Sequence, residues 1–165
     1  MSKVGSIERL TQNRIINLFK NQLKYEYLGN REEQENKNID HNLLKKFLQK
    51  QGYSEKLIER ALRELDQTAV MGDGRSLYDA NKDVYRLFRY GIKVKESTGE
   101  QNQTVWLINW KEPEKNNFAI AEEVTVKGEN TKRPDIVLYI NGIAIGVIEL
   151  KRSTVGLTEG IRQNL

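Results

Sequence analysis

The segment Ile136–Leu150, IVLYI-NG-IAIGVIEL, limits the possible folds more than any other part of the chain. Two apolar, β-branched runs flank Asn141-Gly142. Asn and Gly tolerate the positive φ angles that a two-residue hairpin turn requires, so the pair marks a β-hairpin. Neither run alternates between apolar and polar, so both faces of these strands must be covered. A hairpin buried on two sides needs helices or further strands around it, and the rest of the chain supplies both patterns.

Upstream of residue 91 the apolar period is helical. A first helix is expected over about Ile7–Leu28, with Leu10, Ile15, Leu18, Phe19 and Leu23 inward and Gly29 at its end. Asp40 can cap a helix bearing Leu43, Leu44, Phe47 and Leu48. Ser54 opens another with Leu57, Ile58, Ala61, Leu62 and Leu65. Ser76 and Asp79 have capping-box spacing ahead of Leu77, Val84, Leu87 and Phe88. From Ile92 the period changes to two. Ile92–Lys95 and Thr104–Trp110 read as a hairpin and Phe118–Val126 as a strand, while Leu157 onward starts another helix. Trp106 and Trp110 read as core residues. The fold class expected is mixed α/β: a helical part over 1–90, then a mostly antiparallel sheet part with a helix behind it over 91–165.

The 165 residues include no cysteine and one histidine, His41. Disulfides, thiolate catalysis and sulfur–imidazole zinc sites are therefore excluded, and any metal must be held by oxygen. No apolar run approaches the roughly 20 residues of a membrane span, so the chain reads as cytoplasmic with no membrane partner. Net charge is +4, and Arg75–Lys95 alone carries +4. Lys82, Arg86, Arg89 and Lys93 would form one stripe if the fourth helix persisted to Lys93. Such a stripe is either a solvated face paired with Asp79 and Asp83 or a surface for DNA phosphates.

The residues with chemical interest end the buried strands. Asp135 opens one and Glu149-Leu150-Lys151 closes the next. Charges at the ends of apolar strands are costly unless paired. The period of two puts Glu149 and Lys151 on one face, and Asp135 arrives from the neighbouring strand. The carboxylates and the Leu150 carbonyl can ligate Mg2+, while the lysine positions or deprotonates water. The alternative is a structural ion pair among the same groups. Register discriminates between them. A strict two-residue turn pairs Ile140 with Ile143 and hence Asp135 with Ile148. A three-residue loop with a glycine bulge, or another one-residue shift, pairs Asp135 with Glu149 and is the expected arrangement.

RPDIVLYINGIAIGVIELK resembles the PD-(D/E)-x-K nuclease core, and in particular the N-terminal endonuclease domain of type I restriction enzyme R subunits. ERALRELDQTAVMGDGRSLYDANKDVYRLFRYGIKVK and NFAIAEEVTVKGENTKRPD share the likeness. The resemblance implies a restriction-endonuclease-like core and Mg2+-dependent cleavage of double-stranded DNA without sequence reading of its own. It also implies methyltransferase and specificity subunits as partners. By motif, Asp135 and Glu149 match the metal ligands, Lys151 the catalytic lysine, and Gln163 the start of a Q-x-x-x-Y motif. Lys132, Arg133 and Arg152 flank this site as candidate phosphate contacts. Gln12 stands where such nucleases commonly carry a first-helix glutamate. No G-x-x-x-x-G-K-[ST] motif occurs, so ATP would belong to translocase domains outside these residues, and the isolated piece is expected to be inactive. The competing readings are a silent DNA-binding or docking module and a DNA-repair nuclease of the same fold.

Overall fold

The structure is a computed structural model and describes residues 3–34, 36–72, 74–126 and 131–150, with side chains from residue 8 onward. Lys151, Arg152, Gln163 and the expected helix from Leu157 lie outside the described residues. The chain divides into two compact units, Met1–Asp40 with Asn117–Leu165, and His41–Asn116. This partition differs from a division at residue 90. One strand precedes most of the helices, and a short hairpin is grouped with them.

The first unit holds α1 (Lys3–Asn17), a π-helical turn (Leu18–Gln22), β1 (Glu26–Asn30), β4 (Phe118–Glu122), β5 (Ile136–Ile140) and β6 (Ile143–Ile148). Its sheet has the order β1-β4-β5-β6, with β1 parallel to β4 and the other pairs antiparallel. Ile16 of α1 packs with Ile120 and Ile136, flanked by Ile15, Phe19, Tyr27 and Ile148. Ala119, Ala121, Val124, Val137 and Tyr139 form the opposite cluster. Helical content is thus shorter at the N-terminus than the period suggests. Lys24 turns the chain at φ 60°, and Glu26–Asn30 enters the sheet as β1. Leu10, Leu18 and Leu23 are 57%, 42% and 52% exposed, so Ile16 replaces them as the buried anchor. Parallel ladder bonds to β4 outweigh the weak helix propensity of Tyr25 and Tyr27.

The second unit holds α2 (His41–Lys50), α3 (Glu55–Ala69), α4 (Leu77–Tyr90) and the hairpin β2 (Ile92–Val94)–β3 (Gln103–Val105), followed by a 3₁₀ turn at Pro113–Lys115. Ser54 Oγ accepts from Leu57 N at 3.3 Å and Ser76 Oγ from Asp79 N at 3.1 Å, so both caps form as their spacing predicts. Leu44, Leu48, Ile58, Leu65, Ile92, Val105 and Leu107 are among the residues buried in its core. The second hairpin strand stops at Val105 rather than Trp110. Trp106 N donates to Tyr53 Oη (3.0 Å), and Asn116 Nδ2 donates to Asn109 O (2.9 Å), which draws the chain into a turn. Trp106 and Trp110 are therefore 43% and 44% exposed, not core residues. Gly91, at φ 73°, ends α4 and sends Lys93 into β2, which breaks the predicted four-residue basic stripe. Phe118–Val126 is likewise shortened. Glu123 takes φ 51° and closes β4 at Glu122.

Candidate active site at one end of the sheet

The hairpin register decides whether Asp135 and Glu149 meet. Asn141 (φ 52°) and Gly142 (φ 85°) make a two-residue turn that pairs Ile140 with Ile143 and Tyr139 with Ala144. The next pair is Leu138 with Gly146, so Ile145 is an extra residue bulged out of β6. Below the bulge Val137 pairs with Val147 and Ile136 with Ile148. Continued by one residue, this register sets Asp135 opposite Glu149. The required shift is present, but it lies within the strand rather than in a three-residue loop. The turn is fixed by Asn141, whose side chain is buried and accepts from Asn117 N at 2.7 Å, which leaves the strand as the place for the extra residue.

Residues directly opposite in an antiparallel pair project to the same face. Asp135 Oδ2 accepts from Leu150 N at 2.6 Å, which ties the start of β5 to the residue after Glu149. Among the described residues, Asp135 Oδ1 accepts no hydrogen bond. Asp135, Glu149 and Leu150 are half-buried. Two carboxylates plus a main-chain carbonyl form a hard oxygen donor set. It suits Mg2+, which keeps much of its water shell and needs few protein ligands. No group of three or more His, Asp or Glu side chains gathers as a metal cluster among the described residues.

A second carboxylate centre lies at the same sheet end and escaped the sequence reading. Glu122 is 4% exposed at the end of β4. Its Oε1 accepts from Tyr27 Oη (2.5 Å) and Arg9 Nη2 (3.3 Å), and its Oε2 accepts from Arg9 Nη1 (2.9 Å) and Gln12 Nε2 (3.1 Å). Four donors satisfy this carboxylate, so it is a structural anion rather than an open ligand. Burial, together with the hydrogen bond to the Glu122 anion, pushes the Tyr27 phenol up to about 12.

Gln12 joins the two centres. It is 4% exposed and donates from Nε2 to Glu122, to Glu123 Oε1 (3.2 Å) and to the Asp135 main-chain oxygen (3.3 Å). Its Oε1 accepts from Arg9 Nη1 at 3.2 Å. The helix position expected to carry glutamate thus does reach the sheet end, as an amide that holds carboxylates and backbone together. Two signals for Glu122 are visible in retrospect: a charge ending the apolar run FAIAE, and Arg9 three residues before Gln12.

The cationic candidates are dispersed. Arg133 is held by Glu32 and by Glu123 (Nε to Oε2, 3.2 Å), so two carboxylates already engage it. Lys132 is exposed and bridges through its backbone to Val126. Lys82, Arg86 and Arg89 share α4 in the second unit, and Arg86 pairs with Asp83 at 3.2 Å.

The family model for the Type I restriction enzyme R protein N terminus matches residues 7–165. A putative type I restriction enzyme MjaVIIIP endonuclease subunit of Methanocaldococcus jannaschii is 32% identical over 103 residues, covering 61% of this chain and 9% of that protein. The type I restriction enzyme HindI endonuclease subunit of Haemophilus influenzae is 29% identical over 114 residues, covering 65% and 11%. A putative MjaVIIP endonuclease subunit of M. jannaschii is 41% identical over 64 residues, covering 38% and 6%. The chain spans about a tenth of the length of these curated relatives. No solved structure matches it.

Proposed function

Because the chain belongs to the family of type I restriction enzyme R protein N-terminal domains, we propose that its sheet end is a Mg2+-dependent centre that cleaves double-stranded DNA. The observation that carries this reading is the bulge at Ile145, after which Ile136 pairs with Ile148, so that the same register carried one residue further sets Asp135 against Glu149. In this reading Asp135, Glu149 and the Leu150 carbonyl hold the cation. When bound, Mg2+ compensates phosphate charge and acidifies a water for attack. The Leu150 N–H holds one Asp135 oxygen in place. Lys151, outside the described residues, follows as the group that positions the water.

The family role assigns target choice to separate specificity and methyltransferase subunits. Lys132, Arg133 and Arg152 are the nearest phosphate contacts by sequence, with Arg133 exchanging Glu32 for DNA. One observation favours a silent docking module instead: Gln12 occupies the helix position of an expected carboxylate. The test is plasmid cleavage by the complete R subunit assembled with its partner subunits. Glu149→Gln and Asp135→Asn should each abolish cutting, and Asp135→Asn should abolish calorimetric Mn2+ binding by the 165-residue chain. Unchanged cleavage in either variant would refute the nuclease centre.

A further inference from the structure

The second unit carries a cleft of about 470 Å³ that the sheet-end site does not use. Its lining includes Tyr53, Tyr90, Trp106 and Trp110 together with Arg89 and Lys111. Tyr90 is 67% exposed, and both tryptophans are more than two-fifths exposed. Large aromatic surfaces left in water at one place mark a binding site rather than a core. Two of these rings are held by hydrogen bonds. Trp110 Nε1 donates to Phe88 O at 2.8 Å, and Tyr53 Oη bridges Thr104 O and Trp106 N.

The charge around the cleft has one sign where it counts. The Arg89 guanidinium lies 5.2 Å from the Trp110 ring and makes no ion pair with the described residues. Along α4, rings and cations share the exposed positions with Leu77, Asp79 and Asn81. Tyr78 has the Lys82 ammonium 6.0 Å from its ring, Tyr85 is 61% exposed, and Arg86, Arg89 and Tyr90 follow. Tyr78 to Tyr90 spans about 18 Å of helix. Rings without a hydrogen-bonding code, interleaved with cations, match unpaired nucleotides: bases stack on the rings and phosphates meet the cations. A duplex offers phosphates but keeps its base faces covered, so it cannot use the rings.

We propose that this cleft and the exposed face of α4 bind single-stranded nucleic acid through base stacking. The inference does not depend on the metal site. It is tested with the 165-residue chain in EDTA, using fluorescein-labelled oligothymidylate and a duplex of equal length. Expected are quenching of tryptophan fluorescence by the single strand and binding about ten-fold tighter than to the duplex. Tyr90→Ser and Trp106→Ser should each weaken single-strand binding by about five- to a hundred-fold, while Trp106→Phe retains most of it. Arg89→Gln should lower the salt dependence by about one counterion. Circular dichroism checks the fold, and Tyr90→Ser, at an exposed position, decides the matter if Trp106→Ser does not fold. Equal affinity for duplex, binding without quenching, indifference to the ring substitutions, or quenching by a proline-rich peptide but not by oligothymidylate would each overturn the proposal.

Discussion

Replacing Gln12 by glutamate tests the electrostatics of the sheet end more sharply than a truncation. The amide now donates to Glu122, Glu123 and the Asp135 carbonyl at 3.1–3.3 Å. A carboxylate there would face two like charges at 3.1 and 3.2 Å, each repelling by about 5 kcal/mol at an effective dielectric of about 20. Arg9, half exposed, offsets at most one of these. Taking up a proton is cheaper. From a reference pKa of about 4.3, protonation costs about 3.7 kcal/mol at pH 7 and about 1 kcal/mol at pH 5. Losing one donor of the amide adds about 1 kcal/mol. Gln12→Glu should therefore destabilise by about 4–5 kcal/mol near pH 7 and about 2 kcal/mol near pH 5. Urea titrations of both proteins at the two pH values measure the difference. A loss independent of pH, or no loss at pH 7, would refute the arrangement of Gln12 among these acids.

Two further outcomes follow from named contacts. Tyr27 has its phenol raised to about 12 by burial and Glu122. The stability it contributes is fully present below about pH 10 and lost as pH rises through about 12, because the unfolded chain releases that proton first. Urea midpoints measured across this window should fall, and Tyr27→Phe should flatten that part of the curve. Gly91→Ala forces a side chain onto φ 73° with its Cβ 2.5 Å from Thr104 Cγ2 and 3.0 Å from the Val105 oxygen. It should cost about 2–4 kcal/mol in chemical denaturation, against about 1 kcal/mol for Gly52→Ala, which has equally positive φ but open space.

Fold class, three of the helices, the capping serines Ser54 and Ser76 and the Asn-Gly hairpin were legible in the sequence because each rests on local chemistry, whereas burial on both faces fails for β6, which is the edge of the sheet and leaves Ile145 and Val147 51% and 55% exposed. Periodicity, a hydroxyl three residues ahead of an amide, and the Asn-Gly turn need no distant partner. The first helix was overextended because Tyr25–Leu28 satisfies both periods, and only β4, some 90 residues later, offers the ladder that decides between them. Trp106 and Trp110 looked like strand residues until Tyr53 and Asn116 diverted the backbone. Glu122 was missed because its donors come from α1 and β1, which no spacing in the chain connects to it.

The amino-acid order alone settles which carboxylates end the apolar strands and that no sulfur or imidazole cluster can accompany them. Whether those carboxylates meet is a matter of one residue of register. That choice was made by the tertiary structure. Asn141 is anchored to Asn117, the turn is held at two residues, and the surplus residue is expelled at Ile145. Strand pairing repeats every two residues, so a single expelled residue moves every side chain beyond it to the opposite face. No local preference in the sequence is strong enough to fix where that happens.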